Sequence, residues 1–169
     1  MARSDVSGRY GIRAESFRSP VSGRVGLSDE GLRCTWLGET VLRKEAARCA
    51  LTGRTVAKKY LNGDGQLAPL ADLLDGRTAA ARSGRELLPL LRPLDEDLAG
   101  LTAAEAVRSP SGLYAVCGEV RTRGWFGEKV RYVGLLLRTG DCPAVVGRGV
   151  RGYRGSDTEF VIKDELEFG

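Results

Sequence analysis

An arginine followed five residues later by a glycine recurs every 15 residues near the start of this 169-residue chain, and no other feature limits the fold as much. The copies are Arg18-Ser19-Pro20-Val21-Ser22-Gly23, Arg33-Cys34-Thr35-Trp36-Leu37-Gly38 and Arg48-Cys49-Ala50-Leu51-Thr52-Gly53, with Leu27, Leu42 and Ala57 in step behind them. Fifteen residues cannot bury a hydrophobic face alone, so such units must stack. Each unit reads as strand, tight turn, strand, because the glycine is followed by β-branched pairs such as Thr40-Val41 and Thr55-Val56. A helix would carry an interior glycine in every copy, at a cost of about 1 kcal/mol each. The repeat module is expected over residues 17–61, with Trp36, Leu51, Val41 and Val56 in its core, behind a flexible N-terminus at 1–16. A shorter echo, Arg108-Ser109-Pro110-Ser111-Gly112, stands far downstream.

After Tyr60 the pattern changes. Leu67, Leu70, Leu73 and Leu74, then Leu87, Leu88, Leu90 and Leu91, then Leu98 and Leu101 predict a helical segment over 62–107. Pro69 suits a first helical turn, Gly76 a stop, and Pro89 and Pro93 divide the rest into short pieces. Thr102-Ala103-Ala104-Glu105 matches a capping box and predicts a last short helix ending near Arg108. Residues 108–169 then read as an antiparallel β module, with strands at Leu113–Arg121, Lys129–Arg138, Ala144–Arg151 and Thr158–Glu167. The expected class is α+β: short β-hairpin repeats, central short helices, C-terminal antiparallel sheet.

Composition sharpens the functional reading. With 42% hydrophobic and 28% charged residues the chain can form one ordinary domain or two small ones, and no apolar run approaches a membrane span. It contains no histidine, which removes Ser-His-Asp and Cys-His catalysis and every histidine-containing zinc site. The net charge of +4 resolves into blocks of +6 (1–60), −4 (61–106), +6 (107–155) and −4 (156–169). Arginine supplies 21 of the 26 basic residues, which suits phosphate forks, although a GC-rich coding sequence raises arginine and glycine without selection.

Four cysteines, Cys34, Cys49, Cys117 and Cys142, equal one tetrahedral zinc shell. Two of them stand in frames shaped like zinc-ribbon knuckles with ligands missing: Cys49 to Gly53 keeps the first cysteine and Tyr114 to Gly118 the second. Buried thiols are the simpler expectation, so zinc remains a secondary one. Cys142, in Gly140-Asp141-Cys142-Pro143, is expected in an exposed turn. Asn62-Gly63-Asp64-Gly65 lacks the further acidic ligands of a calcium loop. Asp95-Glu96-Asp97 offers carboxylates for a divalent cation or for acid-base work. Gly147 to Gly152 spells Gly-x-Gly-x-x-Gly without a following helix, and reads better as a flexible, arginine-bearing loop able to lie along phosphates.

The expected binding surface combines Arg121, Arg123, Trp125, Phe126, Lys129 and Arg131 on one hairpin with Arg148, Arg151 and Arg154 nearby. Cations interleaved with aromatics suit stacking on nucleic-acid bases, or docking on an acidic protein. The sequence therefore points to a cytoplasmic, non-enzymatic binding or scaffolding module, an accessory subunit of a larger assembly whose partner is nucleic acid or an acidic protein and not a membrane. The alternative is a hydrolase or transferase using carboxylates and a divalent cation.

Overall fold

The structure, a computed structural model, describes residues 1–77, 81–125, 127–153 and 162–163, with backbone alone for 122–124, 128–129, 150–153 and 162–163. It opens with four small antiparallel hairpins: β1 (Ala2–Arg3) with β2 (Tyr10–Gly11), β3 (Ser16–Arg18) with β4 (Val25–Leu27), β5 (Gly31–Arg33) with β6 (Thr40–Leu42), and β7 (Ala46–Arg48) with β8 (Thr55–Ala57). The register advances by 15 residues each time, so Arg3 faces Tyr10, Arg18 faces Val25, Arg33 faces Thr40 and Arg48 faces Thr55. Residues 1–16, expected to be a flexible N-terminus, instead begin with a hairpin of this kind. The reason is legible in Arg3-Ser4-Asp5-Val6-Ser7-Gly8, which carries the same frame.

The frame is explained by the turns. Gly8, Gly23, Gly38 and Gly53 sit at φ 67° to 72° and donate their N–H to the carbonyls of Ser4, Ser19, Cys34 and Cys49 at 2.8 to 3.0 Å. Only glycine occupies that left-handed region without strain. The periodic arginine closes the same turn: Arg18 donates to the Gly23 carbonyl at 2.6 Å and Arg48 to that of Gly53 at 2.9 Å.

Between hairpins lie single 3-10 turns at Arg13–Glu15, Ser28–Glu30, Arg43–Glu45 and Lys58–Tyr60. They carry the contacts that stack one unit on the next. Ser4 donates to Glu30 and Ser19 to Glu45, each at 2.5 Å, while the same carboxylates accept the Leu27 and Leu42 N–H groups at 2.9 and 3.2 Å. At the next step Tyr60 replaces the glutamate, and the Cys34 sulfur accepts the Ala57 N–H directly at 3.2 Å. Backbone bonds add to this: Asp5 N–H reaches the Val25 carbonyl at 2.8 Å and Thr35 N–H that of Thr55 at 2.9 Å. At the intervening step stands Pro20, which has no N–H.

After a loop in which Asn62 Oδ1 accepts the N–H groups of Asp64 and Gln66, α1 (Ala68–Leu74) begins with Pro69 in its first turn and stops at Gly76, φ 69°. β9 (Arg82–Ser83), α2 (Leu88–Leu91) and 3-10 turns at Arg92–Leu94 and Glu96–Leu98 follow. The capping-box expectation fails, because Leu101–Arg108 is strand β10. Thr102 Oγ1 donates across the sheet to the Glu119 carbonyl at 3.2 Å instead of capping a helix. Pairing with strands on both sides and burial of Leu101, Ala104 and Ala106 outweigh the local signal.

β11 (Tyr114–Gly124), β12 (Gly127–Arg138), β13 (Ala144–Tyr153) and β14 (Ile162–Lys163) complete an antiparallel sheet in the order β14-β13-β12-β11-β10-β9. Of the strand expected at Thr158–Glu167, only Ile162 and Lys163 lie within the described residues. Three layers result. Ala115, Cys117 and Leu136 face α1 and the hairpin stack, sharing a core with Trp36, Val41, Leu51, Val56 and Leu70. Val116, Val133, Leu135 and Leu137 face the opposite way, against Leu88, Leu91 and Leu98. No helix among the described residues is long and apolar enough to cross a membrane.

Candidate functional site

The β11–β12 hairpin outruns its neighbours. β10 accompanies β11 only to Val120, opposite Leu101, and β13 accompanies β12 only to Arg131, opposite Tyr153. From Arg121, opposite Val130, to Gly124, opposite Gly127, the ribbon continues with no third strand among the described residues. Both edges of this arm present unpaired backbone groups, and a lone two-stranded ribbon is only marginally stable in water. Trp125 at the tip is fully exposed. Indole is mostly apolar, and leaving all of it in water sacrifices roughly 2 kcal/mol of burial available elsewhere in the protein.

The expected site residues separate into groups. Arg121 is exposed on the arm and donates to Glu119 at 2.7 Å; exposed pairs of this kind contribute little to stability and yield easily to a ligand. Arg131 is half-buried at the base. Arg123 and Lys129 occupy ladder positions opposite Glu128 and Thr122, Arg151 lies opposite Tyr132, and their side chains, like Phe126 and Arg154 altogether, lie outside the described residues.

Arg148 does not belong to the surface. Its side chain is 2% exposed, and it donates to Asp95 at 2.5 Å and to Asp97 at 2.9 Å, joining β13 to the layer that holds α2. It is unavailable to phosphate. The same bonds occupy the carboxylates considered above for divalent-cation chemistry. The glycine string around it is strand, not a loop: Gly147 and Gly149 pair with Leu136 and Gly134. A Cβ on Gly149 would stand 2.6 Å from the Leu51 carbonyl oxygen, so these glycines let the hairpin stack approach the sheet.

Cys34, Cys49 and Cys117 are buried and Cys142 is exposed, all as free thiols. The Cys34 and Cys49 sulfurs are occupied as acceptors, Cys49 from Leu67 N–H at 3.2 Å. Among the described residues no three groups of metal-ligating type converge, so the four thiols do not form one shell. A cleft lined by Glu105, Cys117, Glu119 and Tyr132 was not foreseen. Its members come from three strands, and no sequence spacing connects them. Comparison with known proteins returns no match, whether to a family model, a curated protein or a solved structure.

Proposed function

We propose that this chain is a non-enzymatic binding module, a subunit of a larger assembly, whose basic arm engages a polyanionic partner. Single-stranded nucleic acid is the preferred ligand and an acidic protein segment the second. The observation that supports this most is the two-stranded arm carried clear of the sheet with a fully exposed Trp125 at its end. An indole supplies a stacking face worth roughly 1–3 kcal/mol per base, and Arg121, Arg123 and Lys129 supply charge for a phosphate backbone. Free thiols at all four cysteines suit a reducing compartment such as the cytoplasm.

Fluorescence anisotropy with labelled single-stranded DNA, single-stranded RNA, duplex DNA and polyglutamate tests the proposal. Single strands are expected to bind with an affinity that falls as salt rises. Trp125→Ala should weaken them about five- to thirty-fold. Replacing Arg121, Arg123 and Lys129 with glutamine should flatten the salt dependence by roughly 0.7 per lost phosphate contact. Binding to none of the four at low ionic strength refutes the assignment; binding to polyglutamate alone moves it to an acidic protein.

A further inference from the structure

We propose that the N-terminal face of the hairpin stack is a docking site for a β-hairpin of the same 15-residue class presented by another protein chain. Each unit has an outgoing edge, which supplies a serine or cysteine and the next residue's N–H, and a receiving face, which supplies a carboxylate, a strand carbonyl and an apolar floor. Three receiving faces within the protein are occupied: by Ser4 and Asp5, by Ser19, and by Cys34 and Thr35. The first unit's receiving face is not. Ile12 is 55% exposed, whereas its equivalents Leu27, Leu42 and Ala57 are 8%, 1% and 0% exposed. Val6 is 45% exposed, whereas Trp36 and Leu51 are 2% and 4%.

The polar half of the face is open in the same way. Glu15 stands where Glu30 and Glu45 accept serine hydroxyls, and Tyr10 where Val25 and Thr55 accept a backbone N–H. Among the described residues no neighbouring unit reaches either group. Repeat stacks ordinarily end in a polar cap, and an open apolar end marks a contact surface.

The occupant follows from the three filled copies: a hairpin with a hydroxyl at the Ser4 position, a free N–H immediately after it, and apolar cover for Val6 and Ile12. A second copy of this chain cannot dock head to tail, because every outgoing edge is already used. The last of them, Cys49 and Ala50, is taken by Leu67 N–H and the Gly65 carbonyl.

The test titrates the intact, isotope-labelled protein with a backbone-cyclised hairpin bearing the sequence of residues 2–11, followed by amide chemical shifts. Saturable shifts confined to residues 5–15 are expected. Ile12→Asp in the protein should weaken binding at least ~10-fold, as should Glu15→Gln to a lesser degree. In the probe, Ser4→Ala or Asp5→Pro should each weaken it several-fold. Both protein positions are exposed, and circular dichroism establishes that the variants fold. Absence of shifts at millimolar probe, or shifts indifferent to Ile12→Asp, overturns the proposal. Concentration-dependent dimerisation abolished by Ile12→Asp also overturns it, by assigning the face to a symmetric second copy.

Discussion

Arg148 illustrates how differently one residue reads in sequence and in three dimensions. Among glycines and beside other arginines it looks like a phosphate ligand, yet it is the most deeply placed cation described, with its Nε buried and unpartnered. Its two carboxylates are unequally covered, Asp95 at 27% exposure and Asp97 at 56%, so the removal of either side is not equivalent. Truncating both aspartates strands a buried guanidinium and should cost about 3–5 kcal/mol, whereas Arg148→Met releases two carboxylates that water can reach and should stay within about 1 kcal/mol of the parent. Urea unfolding of the two variants decides this; equal losses would mean that the network is not asymmetric. No residue-scale signal distinguished Arg148 from Arg121, because both precede or follow small residues on a strand and only burial separates them.

At the scale of elements, the hairpins were legible and β10 was not. A glycine at positive φ and an arginine that closes its turn are local requirements, so they recur wherever the hairpin recurs and can be found by spacing alone. Thr102-Ala103-Ala104-Glu105 is equally clear locally and is overruled by partners on either side. The stacking ladder gives the hairpins a pH dependence. Hydrogen bonds from Ser4, Ser7 and the Leu27 N–H hold Glu30 at about 2, against 4.5 for an unperturbed carboxyl, and Arg9 adds to this. Burial pushes Glu45 up, but Ser19, Ser22, the Leu42 N–H and Lys44 outweigh it and leave that carboxyl lowered as well. Between those values the unfolded chain binds the proton and the folded one does not. The stability from these carboxylates is therefore complete above about pH 5 and is lost as the pH falls towards 2. Near-ultraviolet circular dichroism of Trp36 should follow the loss, and Glu30→Gln should flatten it; an unchanged acid profile in that variant would exclude the ladder as its cause.

At the scale of the whole molecule, the hairpin stack, the sheet and the α2 layer are held together by close approaches. Ser111, in the downstream echo of the repeat, donates to the Trp36 carbonyl at 2.9 Å, and β13 meets Leu51 and Thr52 through Gly149 and Gly147. Gly149→Ala places a methyl against a backbone oxygen that cannot rotate away, and should destabilise the protein by about 1–3 kcal/mol. Gly63→Ala, with nothing within 4 Å and no positive φ, is the matched control and should change little. Thermal unfolding compares them, and similar melting temperatures would show that the stack does not bear on the sheet at that point.

The sequence alone determined what depends on neighbours along the chain: the 15-residue hairpin, its Arg and Gly positions, the bounds of α1 and most strands of the sheet. Tertiary structure decided what depends on which chemical groups meet across hundreds of ångström-scale contacts that spacing does not encode. It turned a capping box into a strand, a glycine loop into a packing seam and a surface arginine into a buried one. It also left two surfaces uncovered, the tip of the arm and the first receiving face of the stack. Burial is a property of the assembled layers, and a residue's type fixes only what that burial costs.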